Sequence, residues 1–362
     1  MSLDRSPLSP YLLRPALPSD LEALERLAHA SAIGISSLPP DRAALQDKLE
    51  RSSKSFGSDD EAVSGEEIYL FVLEDRARGG TLIGTSGIEA QPGFHDRFYS
   101  YRNEFIVQVS AELGTRNRTH TLHLCHDLTG VTLLTGFHID AAYAQTLAPQ
   151  LLSRARLLFI SQYASRFSDR IAAENPGLAD ESGGCPFWDA VGRRFFNMDY
   201  PSAEALNSGR NKGYIAELMP QSPIYVPLLD EQAQWALGQL HEVGELPFSI
   251  LLDEGFDADT YINIYDGGPT VEGRLSTLKS VRRARLRPSQ AVLAQPAQAW
   301  QLATNATARC SDFRAALLPA WDGSPCLDES SAEALGIRIG APLLVSTVDL
   351  GDERAEGEGE LE

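Results

Sequence analysis

TLLTGFHIDAAYAQTLAPQLLSRARLLFISQYASRFSDRIAAE, residues 132–174, decides how the chain folds. Thr132 to Ile139 is apolar and strand-like. A helical pattern runs from about Leu147 to Tyr163, and Arg170 to Ala173 makes a brief strand. Upstream, Tyr11 to Ala16 reads as a strand. Ser19-Asp20 cap a helix to about Ala30, with Leu21, Leu24 and Leu27 on one face, and Asp41 caps a second to about Ser53. Residues 54–66 are rich in Ser, Asp and Glu and read as an exposed loop. Four strands follow at Ile68–Leu73, Thr81–Ile88, Glu104–Val109 and Thr119–Cys125. Downstream come a short amphipathic helix at Phe187–Arg194, a strand at Gly213–Leu218 and a helix at Asp230–Leu240. A further helix ends at Gly255, then a strand at Tyr261–Tyr265 leads into the turn Asp266-Gly267-Gly268-Pro269.

Two early helices, a meander of strands, then alternating strands and helices make an α+β chain. The order is that of the acyl-CoA N-acyltransferase (GNAT-like) fold. Residues 1–10 are expected to be an N-terminal extension and residues 11–285 the acyltransferase-like part. Beyond about Arg287 the composition shifts to Ala, Pro and Gln, so a boundary is expected near 285–297. Short apolar runs with Gly-rich turns then predict a small β-rich appendage over 297–350. The acidic tail 351–362 reads as disordered.

Composition narrows the function. With 362 residues, 43% hydrophobic and 22% charged, the chain is long enough for two domains and has the balance of a soluble protein. No apolar run approaches the ~20 residues of a membrane span, and Met1 to Pro10 lacks a secretory pattern. Cys125, Cys185, Cys310 and Cys326 show no CxxC spacing, so no metal site and no disulfide framework is expected. A cytoplasmic location follows. The net charge of −19 argues against nucleic acid or an anionic membrane as partner. It suits a cationic substrate and demands a local basic pocket for any coenzyme A ester.

Short segments sharpen this. Ser36-Ser37-Leu38-Pro39, Phe71 to Asp75, Pro186-Phe187-Trp188 and Gly192 to Phe196 are followed by Ala216 to Pro220, Pro223-Ile224-Tyr225, Gly238-Gln239-Leu240-His241 and Asp266 to Thr270. In this order and spacing they make Leu13 to about Ser280 resemble the arginine N-succinyltransferase family. Leu124 to Gly130 is similar to the α-type subunit found where the enzyme consists of two paralogous chains. The resemblance implies transfer of a succinyl group from succinyl-CoA to the α-amino group of L-arginine, with L-ornithine as a possible second substrate. It also implies a β-type paralogous subunit as partner.

Succinyl transfer needs a deprotonated amine, donors for the thioester oxyanion, a proton for the departing thiolate, and alignment of both substrates. His241 is the acid/base candidate, because imidazole titrates near neutrality. On its residues alone it reads as a helix-end histidine meeting the negative C-terminal dipole; the resemblance places the family's proposed proton donor there. His126 offers a further pocket histidine, with Asp127 shaping the turn into Thr129-Gly130, while His123 reads as structural. Glu217, Asp266 and Glu272 are candidate carboxylates for the substrate guanidinium, Asp266 also as a turn former. The Gly267-Gly268 backbone could approach a ligand closely. Arg193 and Arg194 could hold an anion, though solvation or ion pairing is the commoner fate of such residues. At the end of the central strand the family's succinyl-CoA contact falls on Phe137, with His138 beside it; an aromatic there can equally be core.

One segment departs from the pattern. In acyl-CoA N-acyltransferases the turn after the central strand is basic-x-x-Gly-x-Gly/Ala, whose backbone N–H groups cradle a pyrophosphate at a helix N-terminus. Here it is Ala144-Gln145-Thr146-Leu147-Ala148-Pro149. Leu147 fills the place the phosphates need, and Pro149 has no N–H but is tolerated in a first helical turn. The cradle is expected to be lost. Two main readings follow: an enzyme subunit working with a paralogue that keeps the cradle, or a non-catalytic structural or regulatory subunit of that complex. A third is acylation of some other amine.

Overall fold

The computed structural model describes residues 8–30, 38, 41–58, 64–93, 97–180, 182–207, 217–292 and 299–348. Its strands are β1 (Tyr11–Pro15), β2 (Ile68–Asp75), β3 (Thr81–Glu89), β4 (Ser100–Ser110), β5 (Thr115–Cys125), β6 (Thr132–Ile139), β7 (Arg170–Glu174) and β8 (Ile224–Tyr225). They continue with β9 (Asp257–Ile262), β10 (Pro269–Arg274), β11 (Arg285–Pro288), β12 (Gln290–Ala291), β13 (Ala299–Asn305), β14 (Ala315–Trp321), β15 (Ser324–Leu327) and β16 (Pro342–Thr347). They form one mixed sheet, with the path β11-β16-β13-β14-β1-β2-β3-β6-β7-β10-β9-β4-β5-β8 and β12 and β15 branching from it.

One feature of that path positions everything else. β6 and β7 are parallel, joined by a crossover through the helix Ala148–Gln162, and their ladder holds only at Thr132↔Ile171 and Leu133↔Ala172. Both strands run on after the ladder stops, so they diverge and open a wedge in the middle of the sheet. On its other side β6 stays paired with β3, across an irregularity between Thr85 and Gly87. Gly136 lies opposite that irregularity with a φ of 59°, a conformation that glycine adopts without a Cβ penalty.

The crossover helix is buried on all sides, from Ala148 through Ile160 with Gln150 half-exposed. Apolar residues around its whole circumference fit that position, with sheet on one face and the helix Glu242–Glu254 on the other. Phe159 sits at the centre of an aromatic cluster, 5.0 Å from Phe71, 5.2 Å from Tyr69 and 5.0 Å from Phe313 between ring centroids. These edge-to-face and tilted contacts are the favourable aromatic geometries. Phe313 belongs to the C-terminal β-rich part, whose strand β14 joins β1 at Leu13↔Ala315 and whose Leu302 and Leu317 enter the same core. Residues 299–348 thus extend the main sheet and share its interior. β11, at the expected boundary, pairs with β16.

The structure revises several local expectations. The second helix runs to Gly57, into the stretch read as a loop, because Ser52 and Ser55 turn inward and their hydroxyls accept the Leu70 and Ile68 N–H groups. Residues 59–63 of that loop lie outside the described residues. Phe187–Arg194 divides at Val191 into two short helices, Pro186–Ala190 and Gly192–Phe196. The helix from Asp230 ends at Ala236. Gly213 to Ala216 of the expected strand are outside the described residues, and Glu217 and Leu218 are helical and exposed. Of Ser36 to Pro39 only Leu38 is described, and it is buried. Residues 1–7 of the extension and the acidic tail also lie outside. No helix among the described residues is long and apolar enough to cross a membrane.

Candidate active site

The wedge encloses a cavity of about 140 Å³. One wall is β6 from Leu133 to Phe137; the other is the end of β7 with Glu174, Asn175 and Pro176. Arg156 of the crossover helix, Gly244 and Pro247 of the next helix, and Asn263 and Asp266 complete it. Thr135 to Phe137, which line the cavity, lie beyond the last β6–β7 ladder pair.

His241 stands at the rim as the N-cap of the helix Glu242–Glu254, where its Nδ1 accepts the Val243 N–H at 3.3 Å. This overturns the reading of His241 as a C-terminal histidine: its helix begins there, after the earlier one has ended at Ala236. An accepting Nδ1 leaves the ring proton on Nε2, so this tautomer presents a donor. The His241 N–H is donated to Pro176 O at 2.9 Å, tying the cap to the end of β7.

Asp266, 5% exposed, holds the cavity's far side together. Its Oδ2 accepts the Gly177 N–H and its Oδ1 the Gly268 N–H, both at 2.9 Å. Burial pushes its carboxyl up; those hydrogen bonds and the nearby His241 pull the other way. The two loops meet backbone to backbone. A Cβ on Gly268 would lie 2.3 Å from Asn175 O, and one on Gly177 2.4 Å from Asp266 O. The close approach expected of Gly267-Gly268 toward a ligand is therefore taken up by the chain itself. Glu204, facing Asp266, is pushed up to about 7, by burial first and then by that carboxylate.

Two arginines two residues apart on the crossover helix fare differently. Arg154 is ion-paired with Asp253 and with the fully buried Glu254, which also accepts from Ser280. Arg156, 2% exposed, donates from Nε and Nη2 only to Ser153 O and Oγ, each at 3.1 Å. Its guanidinium lies over the Phe137 ring, 5.8 Å from the centroid, and no carboxylate among the described residues pairs with it. Burial pushes Arg156 down to about 9, so it is still a cation at neutral pH. The sequence reading passed over Arg156. The available signal was a charged residue within a helix that is apolar on every side.

The other candidates are dispersed. Phe137 lines the cavity and packs on the main core. His138 is half-buried outside the lining; its Nε2 has no hydrogen-bond partner and burial lowers its proton affinity. His126 is exposed, with its ring edge-on to Tyr99, and its carbonyl, rather than the Asp127 side chain, closes the turn to Thr129. Asp127 instead pairs with Arg102. Glu272 pairs with Arg170 away from the cavity, and Glu217 is exposed. Arg193 pairs with Asp189 and Arg194 donates to Ala190 O. Of the sequence-derived candidates the cavity gathers Phe137 and Asp266, with His241 at its edge. Glu174 lines it as well and was not singled out. No group of three metal-ligating side chains occurs among the described residues.

At the first turn of the crossover helix, Ala148 and Pro149 are buried and Leu147 packs on the core. The Ala148 N–H is donated to Thr146 Oγ1 at 3.1 Å, Pro149 has none, and the Leu151 N–H goes to Leu147 O. Few donors remain there for an anion.

Comparison with known proteins bears on this arrangement. The family model described as "Arginine N-succinyltransferase beta subunit" matches residues 11–280. A Pseudomonas aeruginosa protein named arginine N-succinyltransferase subunit alpha is 44% identical over 340 residues, covering 93% of this chain and 99% of the relative. An Escherichia coli arginine N-succinyltransferase is 38% identical over 287 residues, 79% of this chain and 82% of the relative. Among solved structures, arginine/ornithine succinyltransferase subunit AI from Pseudomonas aeruginosa superposes with a TM-score of 0.83 at 41% identity. It covers 94% of this chain and 99% of its own.

Proposed function

The chain belongs to the arginine N-succinyltransferase family of acyltransferases, and from that premise we propose that it is the α-type subunit of such an enzyme. It would transfer a succinyl group from succinyl-CoA to the α-amino group of L-arginine, or of L-ornithine, together with a β-type paralogous subunit. The observation that carries this reading is the wedge between β6 and β7, whose cavity is lined by Thr135 to Phe137, Glu174 and the buried Asp266, with His241 capping the helix that supplies Val243 and Gly244 to the lining.

The acyl chain enters the wedge, and the β6 main chain at Thr135 to Phe137 is aligned beside the thioester oxygen as charge develops on it. Glu174 and Asp266 give the cavity's acceptor side a negative potential suited to a cationic amino acid. Attack needs the amine's lone pair, and the departing sulfur needs a proton or a strong hydrogen bond. His241, with its proton on Nε2 and its backbone fixed by Pro176, is the donor proposed for that step. The long β4–β5 hairpin exposes Phe105, Val107, Val109 and Leu113, an apolar row available to the paralogue.

The competing reading, a non-catalytic subunit, is favoured by the packed turn at Leu147 to Pro149. His241→Ala in the reconstituted two-subunit enzyme separates the two. On the catalytic reading the turnover number falls by roughly 10²-fold or more. An unchanged rate would leave this chain a structural partner.

A further inference from the structure

We infer that Arg156 grips the distal carboxylate of the acyl donor and so selects a dicarboxylic acyl group over a neutral one. This rests on the reading of the wedge as the acyl-transfer site; the observations behind it are separate. An arginine taken out of water without a counter-ion costs several kcal/mol, and folds normally supply an acid, as this one does for Arg154 with Asp253 and Glu254. At Arg156 the fold supplies Ser153 and the face of Phe137, both of which orient the guanidinium and neither of which neutralises it. Glu174 and Asp266 line the same cavity but accept from Asn263 and from the Gly177 and Gly268 N–H groups. The Arg156 side chain is buried against the protein yet borders the cavity, so a counter-ion from a ligand reaches it through that cavity.

The cavity's size decides which anion. Its 140 Å³ accommodates a short chain ending in a carboxylate. It is well below the roughly 300–1,000 Å³ that encloses a drug-sized ligand. A planar carboxylate also matches the guanidinium fork in shape and sign. Thr135 to Phe137 and Arg156 line the same cavity, so one short acyl chain can lie against both.

The test compares succinyl-CoA with butyryl-CoA, which keeps the chain length and replaces the carboxylate by a methyl group, in the reconstituted enzyme. Arg156→Met is expected to lower kcat/KM for succinyl-CoA about 100-fold while leaving butyryl-CoA unchanged or better, with the KM for arginine unaffected. Equal losses with both donors, or a raised arginine KM with constant donor preference, overturn the assignment; the second would give Arg156 to the acceptor's carboxylate. An independent arm needs no turnover. Succinate, but not butyrate, is expected to raise the melting temperature of the purified wild-type chain, and that effect is expected to vanish in Arg156→Met. Absence of the succinate effect in the wild type counts against Arg156. If wild-type enzyme transfers nothing to arginine while succinate still binds through Arg156, the activity reading fails, and with it donor selection, and Arg156 is left as a carboxylate site alone.

Discussion

At its first turn the helix Ala148–Gln162 packs hydrocarbon against the core, while about two turns further on it buries Arg156, which no carboxylate among the described residues meets. In the first region Leu147 packs on the core, Pro149 has no N–H to offer and Thr146 takes up the Ala148 N–H. The second keeps a cation at a cost the fold does not offset from its own residues. The pairing teaches that the two ends of an acyl donor can be handled separately. On the proposed function, this chain keeps the grip on the acyl end and leaves the nucleotide end to its paralogue.

The contrast can be broken most sharply by comparing the two arginines. Arg154→Met strands the fully buried Glu254 and is expected to destabilise the chain by about 3–5 kcal/mol in denaturant titrations. Arg156→Met in the same ligand-free chain is expected to leave stability unchanged or raise it, since an uncompensated charge is removed. Equal losses would mean that Arg156 is paired after all. A smaller effect is expected from rebuilding the first turn. The triple change Ala144→Arg, Leu147→Gly and Pro149→Gly restores a base and two small residues, and is expected to tighten coenzyme A binding about tenfold by calorimetry. No gain would place the obstacle elsewhere.

The smallest effect lies at Glu204, beside Asp266. Glu204 has a folded-state pKa of about 7 against a reference of 4.5. Between those values the native chain holds more protons than the unfolded one, so stability falls as pH rises through the window and is flat above it. Melting temperature should therefore drop by about 2 °C across that range, and Glu204→Gln should flatten the profile. An unchanged slope would assign the titration to another group.

Much of this was legible in the sequence, and the misses have physical causes. The strand–helix–strand of residues 132–174 was readable from periodicity, and the blocked turn from Leu147 and Pro149, because local chemistry decides both. The second helix outran its expected end because Ser52 and Ser55 make tertiary hydrogen bonds to β2. His241 was put at the wrong end of a helix because the chain breaks after Ala236 and restarts, with no strong breaker but Gly238, whose φ is 70°. His126, Glu217 and Glu272 lie in or near recognisable segments yet outside the cavity, since motif membership carries no direction in space. Arg156 was missed because its meaning is the absence of a partner, and that exists only in three dimensions.

On the proposed function the nucleotide end of the donor finds no site on this chain while the acyl end does. Titrating the purified chain with succinyl-CoA and with succinyl-pantetheine, which lacks the nucleotide diphosphate, tests it directly. Dissociation constants equal within about twofold are expected. Tighter binding of succinyl-CoA by tenfold or more would mean that this chain holds the nucleotide end as well.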